Sequence, residues 1–259
     1  MNIAFEQVSA ARAKGRRTGK QYISALITDF IELKGDRRFA DDPAVVGGIG
    51  RLGDMPVTII ALEKGTDTKD RIRRNFGSSN PEGYRKALRL MRQAEKFNRP
   101  VICVVDTSGA FCGIGAEERG QGQAIAENIL EMMTLKVPII SIIISEGGSG
   151  GALALATADR VWMLEKAIYS VISPEGCASI LWKDAKKVAE AAEALRLTAQ
   201  DMLKLGVVER IIPEGGDGKR ITMETFKEEL RAELKSLQEM ELQDRLEARY
   251  QRFRKFGSD

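Results

Sequence analysis

No histidine occurs in the 259 residues of this chain, so the side chain best suited to proton transfer near neutral pH is unavailable. That excludes a Ser-His-Asp triad and removes the commonest ligand of catalytic zinc. Cysteine is scarce. Cys103, Cys112 and Cys177 have no metal-ligand spacing, and their odd number argues against a disulfide framework. They read as free thiols of a reducing cytoplasm, the location expected for the chain. No apolar run reaches the ~20 residues of a membrane span, and the N-terminus lacks the apolar stretch of a secretory signal. An excess of one charge is missing too: 40 Lys and Arg face 37 Asp and Glu, and a net +3 is too small to argue for nucleic acid. Basic residues cluster at 12–17, which reads as a solvated face or helix end, and at 69–74, near glycine-rich turns, where a role beside a phosphorylated ligand stays open.

What is present is glycine in two informative places. The apolar run Val101-Ile102-Cys103-Val104-Val105 leads into Asp106-Thr107-Ser108-Gly109-Ala110-Phe111-Cys112-Gly113. The run from Val137 to Ile144 leads into Glu146-Gly147-Gly148-Ser149-Gly150-Gly151. Two buried strands ending in glycines put bare backbone N–H groups at one edge of a sheet, where a ligand oxygen can approach closely. Such donors stabilise an oxyanion without transferring protons, which suits a chain without histidine. The second turn also matches G-x-S-x-G, the nucleophile elbow of hydrolases. With no histidine, only a Ser-Lys arrangement remains for Ser149, with a lysine such as Lys183. On that motif alone a structural turn is as good a reading. Glu117 and Glu118 offer an acid and base, or equally a favourable first turn of a helix.

Along the chain, residues 1–34 read as helical, with Tyr22, Ile23, Leu26, Ile27, Phe30 and Ile31 forming one buried stripe. Runs 45–52 and 57–62 read as a β-hairpin turning at Gly53-Asp54. A helix over 84–97 buries Leu88, Met91 and Ala94, and strand 101–105, helix 116–134 and strand 138–144 form a right-handed parallel βαβ unit. A helix opens at Ala152, and strands 161–164 and 167–172 step the pattern forward once more. Helices 184–195 and 198–205 and strand 207–212 follow, then a flexible break at 215–218. Beyond it, Phe226, Leu230, Leu234, Leu237, Leu246, Tyr250 and Phe253 stripe one long charged helix that docks against something.

At the glycine turns the sequence resembles the family of bacterial acetyl-CoA carboxylase carboxyltransferase α subunits. The resemblance runs through Gly35-Asp36-Arg37, Arg74-Asn75-Phe76-Gly77, residues 81–91, residues 113–121, residues 146–154 and residues 169–183. It implies an α/β fold of the crotonase-like (Clp protease/crotonase) type, a spiral of ββα units with flanking terminal helices. The divisions expected are an N-terminal helical segment (1–34), a carboxyltransferase core (35–215) and a C-terminal helix (216–259), one domain overall.

By the same resemblance the chain moves a carboxyl group from carboxybiotin, carried on a biotin carboxyl carrier protein, to acetyl-CoA, giving malonyl-CoA for fatty acid synthesis. It implies a shared site in an α2β2 heterotetramer, with zinc and most coenzyme A contacts on the β subunit and no metal in this chain. The N–H groups of Gly150 and Gly151 are then the oxyanion donors, and Gly109, Ala110, Phe111, Gly113, Gly147 and Gly148 line the biotin pocket. The sequence departs from the family pattern at Ser108, Phe111 and Cys112, where Pro, Tyr and Pro are usual, and at Ser78-Ser79-Asn80, where a histidine often stands. Those changes bear on side-chain roles more than on backbone ones.

Overall fold

The chain opens with helices α1 (Ile3–Ala11) and α2 (Gly19–Leu26) and then becomes strand, β1 (Thr28–Glu32). A computed structural model describes residues 3–215 and 220–257; of the break expected at 215–218, all but Gly215 lies outside the described residues. The helical stripe expected through Ile31 stops early: Tyr22, Ile23, Leu26 and Ile27 are buried, whereas Ile31 is 58% exposed. The β-branched pair Ile27-Thr28 favours extension over another helical turn. Thr28 and Ile31 pair with Arg51 and Ile49 of β2 (Val45–Leu52). Gly48 and Gly50 let β1 lie that close, because β-carbons there would run into Ile31 and Ile27.

β2 and β3 (Met55–Leu62) make the expected hairpin, with Gly53 at φ 65°. Next come α3 (Thr68–Arg73), α4 (Pro81–Lys96) and β4 (Val101–Thr107). α4 starts three residues before the expected Tyr84 because Pro81, with its fixed φ, suits the first helical position. The single helix expected between β4 and β5 (Ile139–Gly148) is two, α5 (Ile114–Glu118) and α6 (Gln121–Thr134), broken at Gly120 with φ 80°. α7 (Ser149–Ala156) then crosses to β6 (Arg160–Leu164).

From β3 onward neighbouring strands run parallel, and the sheet order is β1-β2-β3-β4-β5-β6-β8, the last being Arg210–Ile212. Strand β7 (Ile168–Ser170) does not step the sheet forward; it returns to pair with Glu146, Gly147 and Gly148 at the end of β5. Around it lie α8 (Pro174–Cys177), a π-helical turn at 178–182, α9 (Val188–Leu195) and α10 (Ala199–Lys204).

β4 is buried along its whole length and β5 up to its final glycine, as expected of parallel strands covered on both faces. α4 buries Leu88, Met91 and Ala94 as expected, and it is Ala87, Leu90, Met91 and Ala94 that join the core with the strands. From α11 (Met223–Glu239), Phe226 joins the core beside Tyr22 and Trp162, with ring centroids 6.4 and 6.2 Å away.

The long C-terminal helix is in fact two, because Met240 is extended (ψ 142°) between α11 and α12 (Leu242–Arg254). α11 buries the first half of the expected stripe, Phe226, Leu230, Leu234 and Leu237, whereas α12 turns Arg245, Arg249 and Arg252 inward and leaves Leu246 and Phe253 half-buried and Tyr250 47% exposed. Arg249 reaches both oxygens of Asp159 at 2.8 Å and donates to the carbonyls of Met132, Leu135 and Val137. Carbonyls at the end of α6 lack helical partners, and a planar five-donor guanidinium answers several of them with one side chain.

Candidate active site at the paired glycine turns

Thr107, the last residue of β4, pairs with Gly147 near the end of β5, so the two turns begin side by side. Glu146, Gly147 and Gly148 are still strand, and Ser149 turns the chain into α7 in one step with a left-handed φ of 54°. A β-carbon on Gly148 would run into the Ser108 carbonyl, and one on Gly147 would lie 2.8 Å from the Tyr169 ring. At Gly151 it would stand 2.5 Å from the nitrogen of Ala110 and 2.8 Å from the Tyr84 hydroxyl. These three are glycine because the turns press on their neighbours. Gly150 and Gly109 differ: the first would meet only Ile125, at 3.5 Å, and the second nothing within 4 Å. Gly113 caps α5 with the Phe111 ring 3.0 Å from its β-carbon position.

The donors can be counted. Ser149, Gly150 and Gly151 open α7, so their N–H groups have no acceptor within the helix. In the first turn, Gly109 N–H goes to the Thr107 hydroxyl (3.1 Å) and Phe111 N–H to the Ser79 carbonyl (2.9 Å). The Phe111 carbonyl accepts from Gln121. Of Gly109, Ala110 and Phe111, expected to line the biotin pocket, only Ala110 has an N–H with no acceptor among the described residues. Beside Gly150 opens an apolar cavity of about 320 Å³, walled by Leu153, Tyr169, Val171 and Met202. Burial pushes the Tyr169 phenol up to about 12, so it lines the cavity uncharged.

Charge lies directly behind the turns, in residues the sequence reading did not single out. The Lys64 ammonium sits 2.7 Å from Asp106 and 2.6 Å from Glu146, the side chains at the ends of three adjacent strands. Arg12 bridges Glu146 (2.8 Å) to Glu175 (2.6 Å). Burial pulls Lys64 toward neutrality, but the facing charges of Asp106 and Glu146 outweigh it and hold the ammonium above its usual range. Burial likewise opposes ionisation of Glu146, yet Lys64 and Arg12 keep its carboxyl below the ordinary value. A cavity of about 220 Å³ runs past this cluster, with Arg71, Phe76 and Ser108 on its walls. Phe76 follows Asn75 through the left-handed region (φ 49° and 54°) and is 54% exposed. Of the basic residues at 69–74, Arg73 and Arg74 pair with Asp70, Lys69 is exposed, and Arg71, which donates to the Gly65 carbonyl, lines this cavity.

Other candidates fall away. Ser149 is exposed and has no hydrogen-bonded base among the described residues, Lys183 included. Glu117 and Glu118 lie exposed on α5. The three cysteines are free, Cys112 exposed and the other two buried. Among the described residues no cluster of His, Cys, Asp or Glu suits a metal ion, and no helix is long and apolar enough to cross a membrane.

Comparison with known proteins identifies the family and the fold. The model of the family described as acetyl co-enzyme A carboxylase carboxyltransferase-like matches residues 3–257. The acetyl-coenzyme A carboxylase carboxyl transferase subunit alpha of Ruminiclostridium cellulolyticum is 69% identical over 219 residues, 84% of either chain. That of Streptococcus uberis is 58% identical over 246 residues, 95% of this chain and 96% of its own. Among solved structures, the transcarboxylase 12S hexamer superposes with a TM-score of 0.72 at 17% identity over 93% of this chain, which spans only 45% of that longer one. A Pseudomonas malonate decarboxylase hetero-tetramer in complex with coenzyme A gives 0.71 at 18%, covering 90% of this chain and 92% of that one. The fold is thus the crotonase-like one of the carboxyltransferases, and the chain belongs to the acetyl-CoA carboxylase carboxyltransferase α-subunit family.

Proposed function

We propose that this chain is the biotin-side half of a carboxyltransferase that carries the carboxyl group of carboxybiotin to acetyl-CoA, giving malonyl-CoA in the cytoplasm. Its partners are the carrier protein that bears the biotin and a β subunit that holds acetyl-CoA and the zinc, in an α2β2 assembly. One observation supports this reading above the rest: Ser149 and Gly150, whose N–H groups open α7, border an apolar cavity of about 320 Å³, and Gly151 beside them packs on Ala110 of the other turn. A ureido ring fits those surroundings, with an oxygen for the donors and an apolar body for the walls.

When bound, biotin supplies the carboxyl group and a ureido oxygen that gains negative charge as that group departs. The Gly150 and Gly151 N–H groups would hold that oxygen, helped by the dipole of α7. Ala110 N–H approaches from the other turn, close to Gly151. Donors fixed in advance need no reorganisation as charge develops, and each is worth about 2.7–4 kcal/mol of barrier. Leu153, Val171 and Met202 keep the surroundings apolar, which strengthens those bonds relative to water. The Lys64–Asp106–Glu146 cluster locks the strand ends that carry the turns. No side chain here need act as a base.

The test is reconstitution. Malonyl-CoA decarboxylation in the presence of free biotin is followed with the chain alone and with a β subunit added. Activity in the mixture only is expected. An inactive mixture that sedimentation shows to be assembled would overturn the assignment.

A further inference from the structure

Segment 12–17 separates two cavities, and Ala13 and Arg16 line both. Arg12, on the side of the glycine turns, pairs with Glu146 and Glu175. On the other side opens a larger cavity of about 430 Å³, within the usual size of a small-molecule pocket. Among the described residues, Lys14, Arg16, Arg17, Lys166 and Arg220 line it with one acid, Glu214. Arg16 spends itself on Glu214 (3.0 Å) and on the Ile144 carbonyl, yet its Nε is buried without an acceptor. Lys14, Arg17, Lys166 and Arg220 face no carboxylate within ion-pair distance among the described residues. Lys14, Arg17 and Arg220 stand exposed at its rim, above a floor of Ile144, Ile212 and Phe226.

We propose that this cavity is a second binding site, for a small molecule bearing a diphosphate or longer phosphate chain. Four cations with no carboxylate at ion-pair distance among the described residues repel one another, and a polyvalent anion relieves that repulsion while accepting their charge-assisted hydrogen bonds. The apolar floor accommodates the uncharged body of the ligand. Tyr22, whose phenol burial pushes up to about 12, remains a neutral hydroxyl on the wall.

Calorimetric titration of the full chain with inorganic pyrophosphate and with ADP, at constant ionic strength, tests this. The expected result is saturable binding of one ligand per chain, weakened at least tenfold in an Arg17→Gln/Lys166→Gln variant that keeps its thermal midpoint. Lys69→Gln/Arg73→Gln, which removes two exposed cations elsewhere, should leave affinity within twofold. Absence of saturable binding overturns the proposal, as does equal weakening in both variants, which would mean general charge attraction. Binding that vanishes on assembly with the β subunit also overturns it and assigns the cations to a partner's carboxylates.

Discussion

A β-carbon on Gly151 would lie 2.5 Å from the backbone nitrogen of Ala110, closer than side-chain carbons come to such atoms. The two turns are therefore one packed unit. Gly151→Val has to push them apart, an overpacking cost of about 1–3 kcal/mol, and should lower the thermal midpoint along with activity. Gly150→Ala has space, its methyl meeting only Ile125 at 3.5 Å. That variant should keep its midpoint and lose at least tenfold in kcat/KM, about 1.4 kcal/mol of barrier. Differential scanning fluorimetry beside the decarboxylation assay separates the two cases. Full activity in Gly150→Ala would mean that a methyl at this position stays clear of the ligand oxygen.

Lys64→Met should cost about 3–5 kcal/mol, because it leaves two buried carboxylates without their shared cation. The pH dependence follows from the directions of the shifts. Glu146 lies below its ordinary value when folded, so its contribution is in place above about pH 4.3 and is lost as pH falls through the lower folded value. Lys64 lies above its ordinary value, so its share is complete below about pH 10.4 and is lost as pH rises through the higher folded value. Urea unfolding from pH 2 to 9 should show a constant deficit in the variant that shrinks on the acid side. A deficit that stays constant to pH 2 would mean the cluster contributes packing alone.

The cluster shows what the sequence could and could not disclose. The hairpin of β2 and β3, the apolar runs of β4 and β5 and the inner face of α4 rest on local periodicity, and they are where the pattern puts them. The glycine turns were legible as turns, since each follows such a run. Lys64, Asp106 and Glu146 lie some forty residues apart in sequence and meet only because β3, β4 and β5 are adjacent and parallel. A signal existed: each charge stands just beyond or at the end of an apolar strand, at the carboxyl edge where α/β sites form. The division of labour among the glycines had no such signal, because it depends on what lies opposite each one. α12 misled for a related reason. Its apolar stripe is real, but the carbonyls at the end of α6 and the carboxylate of Asp159 call for a guanidinium instead.

Arg249→Leu tests that last point. It would strand the Asp159 carboxylate, nearly all buried, and free three carbonyl groups. Removing one partner of such a pair costs about 3–5 kcal/mol. Calorimetry should show a midpoint lower by several degrees, since about 2–4 °C accompanies each kcal/mol in a chain of this size. The double variant Arg249→Leu/Asp159→Leu should recover part of the loss, because no charge is then left unpaired. If the double variant is no better than the single one, the carbonyls rather than the carboxylate dominate.

Phe76 separates stability from function most cleanly. Its backbone sits at φ 54° and ψ 31°, in a region that costs a non-glycine residue about 1–2 kcal/mol, and its ring is 54% exposed. Such an aromatic contributes little to the core, yet it walls the cavity that holds Lys64 and Ser108. Phe76→Gly relieves the backbone, partly offset by the greater freedom of glycine in the unfolded chain, so the thermal midpoint should stay level or rise. If the ring meets the incoming carrier or its biotin, KM for that substrate should rise several-fold with kcat little changed. Phe76→Leu, which keeps an apolar wall and the same strain, should recover most of the affinity without moving the midpoint upward. A Phe76→Gly variant with a lower midpoint and unaltered KM would make Phe76 a packing residue and leave the left-handed turn to serve Gly77. A β-carbon on Gly77 would stand 2.8 Å from the Asp106 carbonyl, so that residue has its own reason to be glycine.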